Sequence, residues 1–392
     1  MTIDVCIRGA GVVGKALALL LARARIRVGL VQTAHSGAAA LADIRAFALN
    51  AASQTLLTSL RAWPDNACAV QHMRVQGDAG AVVQFDAAAM GADALAWIVD
   101  ASALEQRLHA AVSFAPEISI LNAPELAALT VICEGRSSST LQAMGSATAL
   151  EFDRASYDQT AIAAHVEVAL PHQATAWQWM QGGEVCALLP RAAINALGIA
   201  NGSAAPRNQE GGNSVALVWS VHHAHAKQLL ALDDAQFCAQ LQHACGAAAL
   251  GAMRLTSARA AWPLHLTQAS HWVGTGLADM PQAVWALAGD AAHAVHPLAG
   301  QGLNLGLGDA ATLAQVLAGK EYFRVFSDMR LLRRYERARK GDAGALRLAT
   351  DGLQRLFALD DERVRSARNW GMRSFDAIAP LKAAVMRRAM GQ

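Results

Sequence analysis

The segment Ala286–Leu317, ALAGDAAHAVHPLAGQGLNLGLGDAATLAQVL, constrains this 392-residue chain more than any other stretch. An apolar run that reads as a buried strand ends in Gly289-Asp290. A compact stretch carrying His293, His296 and Pro297 follows. Gly300-Gln301-Gly302 then leads into a helical pattern that begins near Leu303 and Asn304. A carboxylate at a strand end accepts hydrogen bonds from sugar hydroxyls, and a glycine-rich helix start presents free N–H groups to an anion. Gly300, Gly302, Gly306 and Gly308 weaken a helix start, so packing alone is a poor account of so many glycines.

The amino terminus supplies a matching half. Asp4–Ile7 reads as a strand, Gly9-Ala10-Gly11-Val12-Val13-Gly14 as a tight turn, and Lys15–Ala24 as an Ala/Leu-rich helix. This is G-x-G-x-x-G in its strand–turn–helix setting. Gly9 permits the turn, Gly11 lets a pyrophosphate approach the backbone, and Gly14 lets helix and strand pack. The second strand, Arg27–Val31, ends at Gln32, where an acid normally accepts from the adenosine ribose; the amide accepts without charge. The two segments suit a ligand with a ribityl chain, phosphates and an electron-rich ring, and flavin adenine dinucleotide (FAD) meets that description.

The length allows two domains or one large α/β domain, and 54% hydrophobic residues allow a sizeable core. A net charge of +2 and 5% aromatic residues argue against nucleic-acid binding. Six scattered cysteines without C-x-x-C fit reduced thiols. No signal peptide or membrane span is expected, so the chain is expected in the cytoplasm, peripheral to the inner membrane at most. The fold class is α/β: a Rossmann-like FAD-binding domain, an inserted antiparallel β-sheet substrate domain and a C-terminal helical tail. The expected division is FAD-binding parts at 1–70, 101–155 and 276–330, substrate parts at 71–100 and 156–275, and terminal helices at 331–392. Thr160–Leu170, Thr175–Met180, Val185–Leu189 and Ser214–Val221 read as strands of the inserted sheet, and Ala235–Leu250 as a helix.

These motifs resemble the flavin-dependent aromatic hydroxylases of ubiquinone biosynthesis, a branch of the group that includes p-hydroxybenzoate hydroxylase. The carrying residues are Gly9-x-Gly11-x-x-Gly14, Asp43-x-Arg45, Glu134-Gly135, Leu189-Pro190 and Gly289-Asp290-Ala291-Ala292-His293. The most specific is His296-Pro297-x-Ala299-Gly300-Gln301-Gly302-x-Asn304-Leu305-Gly306; Tyr335-Glu336-x-x-Arg339 matches more loosely. The resemblance implies a monooxygenase that passes oxygen from a flavin hydroperoxide to a polyprenyl phenol or benzoquinol. The reductant would be NAD(P)H or a partner reductase, and other ubiquinone-biosynthesis proteins are possible partners. Gly9, Gly11, Val13, Gly14, Gln32, Arg45, Glu134, Gly135, Gly289, Asp290, Gly300, Gln301, Gly302, Leu303 and Asn304 would hold FAD. Backbone N–H groups at Gly300–Asn304 would stabilise charge on the reduced ring, Asp290 would hold ribityl hydroxyls, and Arg45 would lie near the flavin and phosphates.

Departures from that pattern are Gln32, Cys133-Glu134-Gly135 in place of Ala-Asp-Gly, a shortened stretch between Val112 and Glu134, and an insertion at Arg191–Asn213. They keep two alternatives open: hydroxylation of a small soluble aromatic, and a degenerate flavin-fold scaffold subunit. His293, His296 and Pro297 are the candidate catalytic stretch, the histidines either relaying protons or packing as buried side chains. Glu134 is either a ligand group or part of a plain strand-end turn. His222-His223-x-His225 offers imidazoles, but adjacent residues of a strand face opposite ways, and no metal is expected. Trp177 and Trp179 mark one packed strand face or line a pocket. Lys382–Arg388 reads as a solvated helix face or as a membrane-surface contact.

Overall fold

The computed structural model describes residues 3–32, 43–77, 80–135, 138–147, 150–192, 212–246, 250–294, 302–358, 361–389 and 391. The chain opens with β1 (Val5–Arg8), α1 (Val12–Arg23), β2 (Val28–Val31), β3 (Ala46–Leu49) and α2 (Ala51–Ser59). Short strands β4 (Cys68–Val70), β5 (His72–Gly77), β6 (Val82–Asp86) and β7 (Ala96–Asp100) lead to α3 (Ala101–Ser113). Next come β8 (Ile118–Leu121), β9 (Leu129–Ile132) and α4 (Ser139–Ala147). The central stretch holds β10 (Phe152–Val168), β11 (Thr175–Gln181), β12 (Glu184–Pro190), β13 (Ser214–His222), α5 (His223–Ala231) and α6 (Asp234–Ala244). The last strands are β14 (Met253–Leu255), β15 (Ala260–Ala269), β16 (Val273–Thr275), β17 (Val284–Leu287) and β18 (His293–Ala294). Helices α7 (Gly302–Ala318), α8 (Met329–Ala358), α9 (Glu362–Ala377) and α10 (Ala379–Ala389) close the chain.

The six-stranded sheet runs β16-β17-β9-β1-β2-β8, parallel except for the β16/β17 pair. β1, β2 and β9 are buried at every residue, as a sheet covered by helices on both faces requires. α1 lays Leu17 and Leu21, both fully buried, against this sheet. Parallel strands share one carboxyl edge, so Gly9, Gln32, Glu134 and Asp290 all leave the sheet on the same side.

A larger sheet runs β18-β15-β10-β13-β12-β11-β5-β6, with β14 beside β10. It is antiparallel apart from the parallel β5/β11 pair. One of its faces packs Ile162, Trp179, Leu217 and Trp219 against Phe237 and Leu241 of α6. Trp177 packs against the same cluster, so both tryptophans of β11 serve that packed face. A third sheet, β3-β7-β4, sits between the two.

The fold class is the α/β one expected, with mixed and antiparallel sheets and a helical carboxyl terminus. β10 begins at Phe152, before the expected 155/156 division, and β16 pairs into the six-stranded sheet although 275/276 would leave it with the substrate part. The histidine run departs from its strand reading: β13 stops at His222 and His223 opens α5. The helix expected to reach Leu250 stops at Ala244, because Gly246 takes a φ of +67°. Residues 193–211, most of the insertion, lie outside the described residues.

Candidate active site

The amino-terminal turn is built on close backbone approach. Gly9 has a φ of +109°, and a Cβ there would fall 2.6 Å from the Cys133 carbonyl oxygen. A Cβ on Gly14 would fall 1.9 Å from the Gly9 carbonyl oxygen, so only glycine lets α1 meet β1 this closely. Gly11 differs: a Cβ there meets nothing within 4 Å, so its face is open. Gly11 also caps α1 without any side-chain hydrogen bond, whereas Asn50, Asp233 and Asp361 cap α2, α6 and α9 with their side chains. The start of α1 is therefore uncapped by any side chain and open at Gly11, the arrangement an anionic ligand needs.

The distant segment arrives at the same place. Gly289 has a φ of +65°, and a Cβ there would lie 3.2 Å from Val13 Cγ2. A Cβ on Gly306 would lie 2.8 Å from the same methyl. Val13, one residue into the first turn of α1, is thus wedged between the β17 turn and the second turn of α7. Gly302, Leu303 and Asn304 form the start of α7. Asn304 Oδ1 accepts from Asn50 N at 3.0 Å and Ser53 Oγ at 2.7 Å, and its Nδ2 donates to Ala48 O at 2.8 Å. Its side chain ties α7 to β3 and α2, which leaves its backbone to the candidate site. Packing accounts for more of the glycine cluster than its sequence pattern suggests. Gly306 makes room for Val13, and Gly308 for Arg339, whose Nη2 would lie 2.9 Å from an added Cβ.

Charged groups surround these helix starts. Arg45 pairs with Asp43, Nη2 to Oδ2 at 2.6 Å, and its guanidinium lies 5.6 Å from the Phe47 ring centre. Asp43 hydrogen bonds raise the Arg45 pKa, and the fields of Asp290 and Glu105 add to the rise. Buried Lys15 pairs with Glu105 of α3. Asp290 is half-buried in the turn after β17, and Gln32 is exposed at the end of β2, its N–H donating to Leu121 O at 2.9 Å. Glu134, next to Gly9 through its backbone, has its carboxylate engaged: it accepts from Thr140 Oγ1 at 2.8 Å, Thr140 N at 3.3 Å and Ser138 Oγ. It secures the start of α4. Gly135, at a φ of +75°, completes that corner. His296, Pro297, Gly300 and Gln301 lie outside the described residues.

His293 is buried in β18, stacked on Trp272 with ring centres 4.9 Å apart. Its Nε2 lies 2.6 Å from Asp309 Oδ2, which also accepts Gly289 N–H at 3.0 Å. Arg339 Nε donates to Asp309 Oδ1 at 2.8 Å. His293 Nδ1 is buried and has no hydrogen-bond partner among the described residues. Sequence reasoning does not single out Asp309, yet it carries a signal: it is the one charged residue in Gly302–Ala318.

The large sheet presents its second face to these helices. His165 of β10 meets Ile44 O at 2.9 Å, next to Arg45. Burial, with the Arg191 charge adding to it, holds the His165 pKa below the usual imidazole range. Arg191 Nη2 pairs with Asp100 at the end of β7 at 2.8 Å, which fixes β12 to the small sheet. To one side of these ties the face runs Ala161, Ser220 and Val185 in one register row and Ala163, Val218 and Ala187 in the next, across β10, β13 and β12. His165 thus brings this face next to Arg45 and the candidate site.

Residues 126–347 match the family model described as FAD binding domain. The chain is 30% identical to ubiquinone hydroxylase UbiL of Rhodospirillum rubrum, over 99% of this chain and 89% of that protein. It is 28% identical to 3-demethoxyubiquinol 3-hydroxylase of Escherichia coli, over 99% of this chain and 98% of that one. Among solved structures, PqsL of Pseudomonas aeruginosa, described as a probable FAD-dependent monooxygenase, superposes with a TM-score of 0.71 at 19% identity. That match covers 95% of this chain and 100% of the other.

Proposed function

Because the chain belongs to the FAD-binding-domain family and is an FAD-dependent monooxygenase, we propose that it hydroxylates the ring of a polyprenyl phenol or benzoquinol intermediate of ubiquinone biosynthesis. The observation that carries this reading is Val13 wedged between Gly289 and Gly306, which joins two helix starts at one sheet edge. The open, uncapped first turn of α1 fits a pyrophosphate.

FAD supplies the reduction of O₂ and the delivery of one oxygen atom to an electron-rich ring. The chain binds, orients and shields. N–H groups of Gly11–Gly14 would hold the pyrophosphate, Asp290 the ribityl hydroxyls and Gln32 the adenosine ribose. Residues at the start of α7 would stabilise negative charge on the reduced ring through backbone N–H groups. Arg45 would balance phosphate charge, and it holds its own position through Asp43. The large sheet, tied down by His165 and Arg191, would exclude water and orient the substrate ring. Electrons come from NAD(P)H or a partner reductase. No described helix is long and apolar enough to cross a membrane. A prenylated substrate partitions into the bilayer, so the enzyme would meet it at the membrane surface.

The test is quinone profiling of a strain lacking the gene, with and without the intact gene restored. Accumulation of a prenylated intermediate lacking one ring hydroxyl, cleared on restoration, supports the reading. An unchanged quinone pool, together with O₂ consumption on a small soluble phenol only, overturns it.

A further inference from the structure

The carboxyl-terminal helices carry a surface that the reaction does not use. Residues 362–389 hold seven basic and two acidic residues, while the whole chain has a net charge of only +2. The inner side of α9 is well occupied. Met372 packs against the cluster of Met180, Val185 and Phe357, and Phe375 meets Phe85 with ring centres 6.4 Å apart. Met180, Val185, Ser220 and Ala161 are successive register partners across four strands, so α9 covers the same sheet face that looks towards the flavin helices.

The outer side of α9 is different. Arg363, Ser366, Trp370, Arg373 and Ala377 repeat at alternating three- and four-residue spacing, which makes one row along the helix. Trp370 is 73% exposed, and Ile378 just beyond the helix is 48% exposed. Neither Arg363 nor Arg373 forms an ion pair with any described residue. Of the acidic residues of this helix, Glu362 in the first turn borders the row beside Arg363, while Asp376 is taken up elsewhere, accepting from Gln84 N at 3.1 Å and Lys382 Nζ at 3.0 Å. That bond, and a cation–ring contact of 5.9 Å to Phe85, also occupy Lys382, so the first cation of the Lys382–Arg388 stretch serves the interior. An exposed indole between guanidinium groups is costly in plain water and is matched by a headgroup region that is anionic outside and apolar just beneath.

We propose that the row Arg363–Trp370–Arg373 docks α9 on an anionic phospholipid bilayer, with Trp370 seated at the headgroup level. The enzyme would then stand at the surface in which a prenyl chain resides. The biological sense of this contact rests on the substrate reading above, but its test does not: vesicle binding and the quinone profile can fail separately.

The experiment is co-sedimentation of the full-length FAD-loaded protein with vesicles of phosphatidylcholine and phosphatidylglycerol in about a 3:1 ratio, against pure phosphatidylcholine. Binding is expected on the mixed vesicles, falling as salt is raised. Each of R363Q and R373Q should weaken it about fivefold, and R363E/R373E should abolish it. W370A should weaken it about tenfold, and iodide quenching of tryptophan emission should drop on vesicle binding in the parent protein but not in W370A. All these side chains are exposed, and unchanged thermal melting would show that the variants fold. Equal binding to both vesicle types, no binding at low salt, or binding indifferent to these substitutions overturns the proposal. Indifference would leave the row to an acidic protein partner instead.

Discussion

His293 Nε2 lies 2.6 Å from Asp309 Oδ2, and the carboxylate it meets is wholly buried. Asp309 reaches three elements from α7: His293 of β18, Gly289 of the β17 turn and Arg339 of α8. Arg339 also donates to Leu305 O at 3.1 Å. The carboxylate therefore fixes the position of the turn that presents Asp290, and an arginine from the terminal helix balances its charge. A lone buried charge would be expensive, so the network exists only as a whole.

Asp309→Asn is expected to destabilise the protein by about 3 kcal/mol, because buried Arg339 then keeps only the exposed Asp342, 2.7 Å from its Nη1, as a counter-ion. Arg339→Met should cost a similar amount, and the double variant should cost much less than the two together, since both charges leave. Chemical denaturation of the three variants checks this. Additive losses would mean that the pair is not coupled as the geometry indicates.

Gly11 and Gly14 should part company. Gly14→Ala drives a methyl into the Gly9 carbonyl and is expected to cost about 3 kcal/mol or more. Gly11→Ala meets no protein atom, so the apo protein should melt within about 1 kcal/mol of the parent. Its FAD affinity should nevertheless fall about tenfold or more, because the methyl occupies the open side of the helix start. Melting curves and flavin fluorescence titration read the two effects separately.

The same contrasts separate what is legible in the sequence from what only packing decides. Gly9, Gly14 and the Ala286–Leu317 segment carry local information: a turn, a helix start and a close approach leave glycines at fixed spacing. Apart from its edge strand β8, where Ser119 and Ile120 are exposed and carry no such signal, the six-stranded sheet follows from short, largely apolar runs. The small sheet does not, because Ala46–Leu49 is four residues long and pairs with Ala96–Asp100, half a hundred residues away, so neither periodicity nor length marks it. Glu134 gives no hint in the sequence of its bonds to Ser138 and Thr140, which the turn into α4 creates. His223 reads as strand in the sequence because a helix start without a side-chain cap leaves no signature there. Asp309 and Arg339 lie 30 residues apart on different helices, and only packing brings them together.

The wedge at Val13 gives a test of convergence itself. Gly306→Ala places a methyl 2.8 Å from Val13 Cγ2 and is expected to cost about 1–3 kcal/mol. Val13→Ala leaves a gap and is expected to cost about 1–2 kcal/mol. In the double variant the new methyl fills part of that gap, so the two losses should fall short of adding by about 1 kcal/mol. A double-mutant cycle from denaturant melts measures this coupling. Strict additivity would show that α1 and α7 do not meet at this residue, and the proposed shared FAD site would lose its support.

His172 predicts how the protein responds to acid. Its ring is buried, its Nδ1 accepts the Ala174 N–H at 3.1 Å, and its Nε2 faces Arg191 O at 3.1 Å. The proton must therefore sit on Nε2, and a second proton on Nδ1 would point at another donor. Burial keeps its pKa below the usual imidazole value even though the Arg191 carbonyl favours the charged form. His165 shifts the same way. The unfolded chain thus binds these protons at a higher pH than the native one. Stability should be complete above about pH 6.5 and decline as pH falls below it. His172→Gln keeps an acceptor and a donor but cannot titrate, so it should flatten the acid limb of a melting-temperature profile by roughly half, leaving His165 to supply the remainder. An acid limb unchanged in this variant would assign the decline to carboxylates such as Asp4 and Asp43, whose pKa values are lowered in the folded protein and whose losses fall at lower pH.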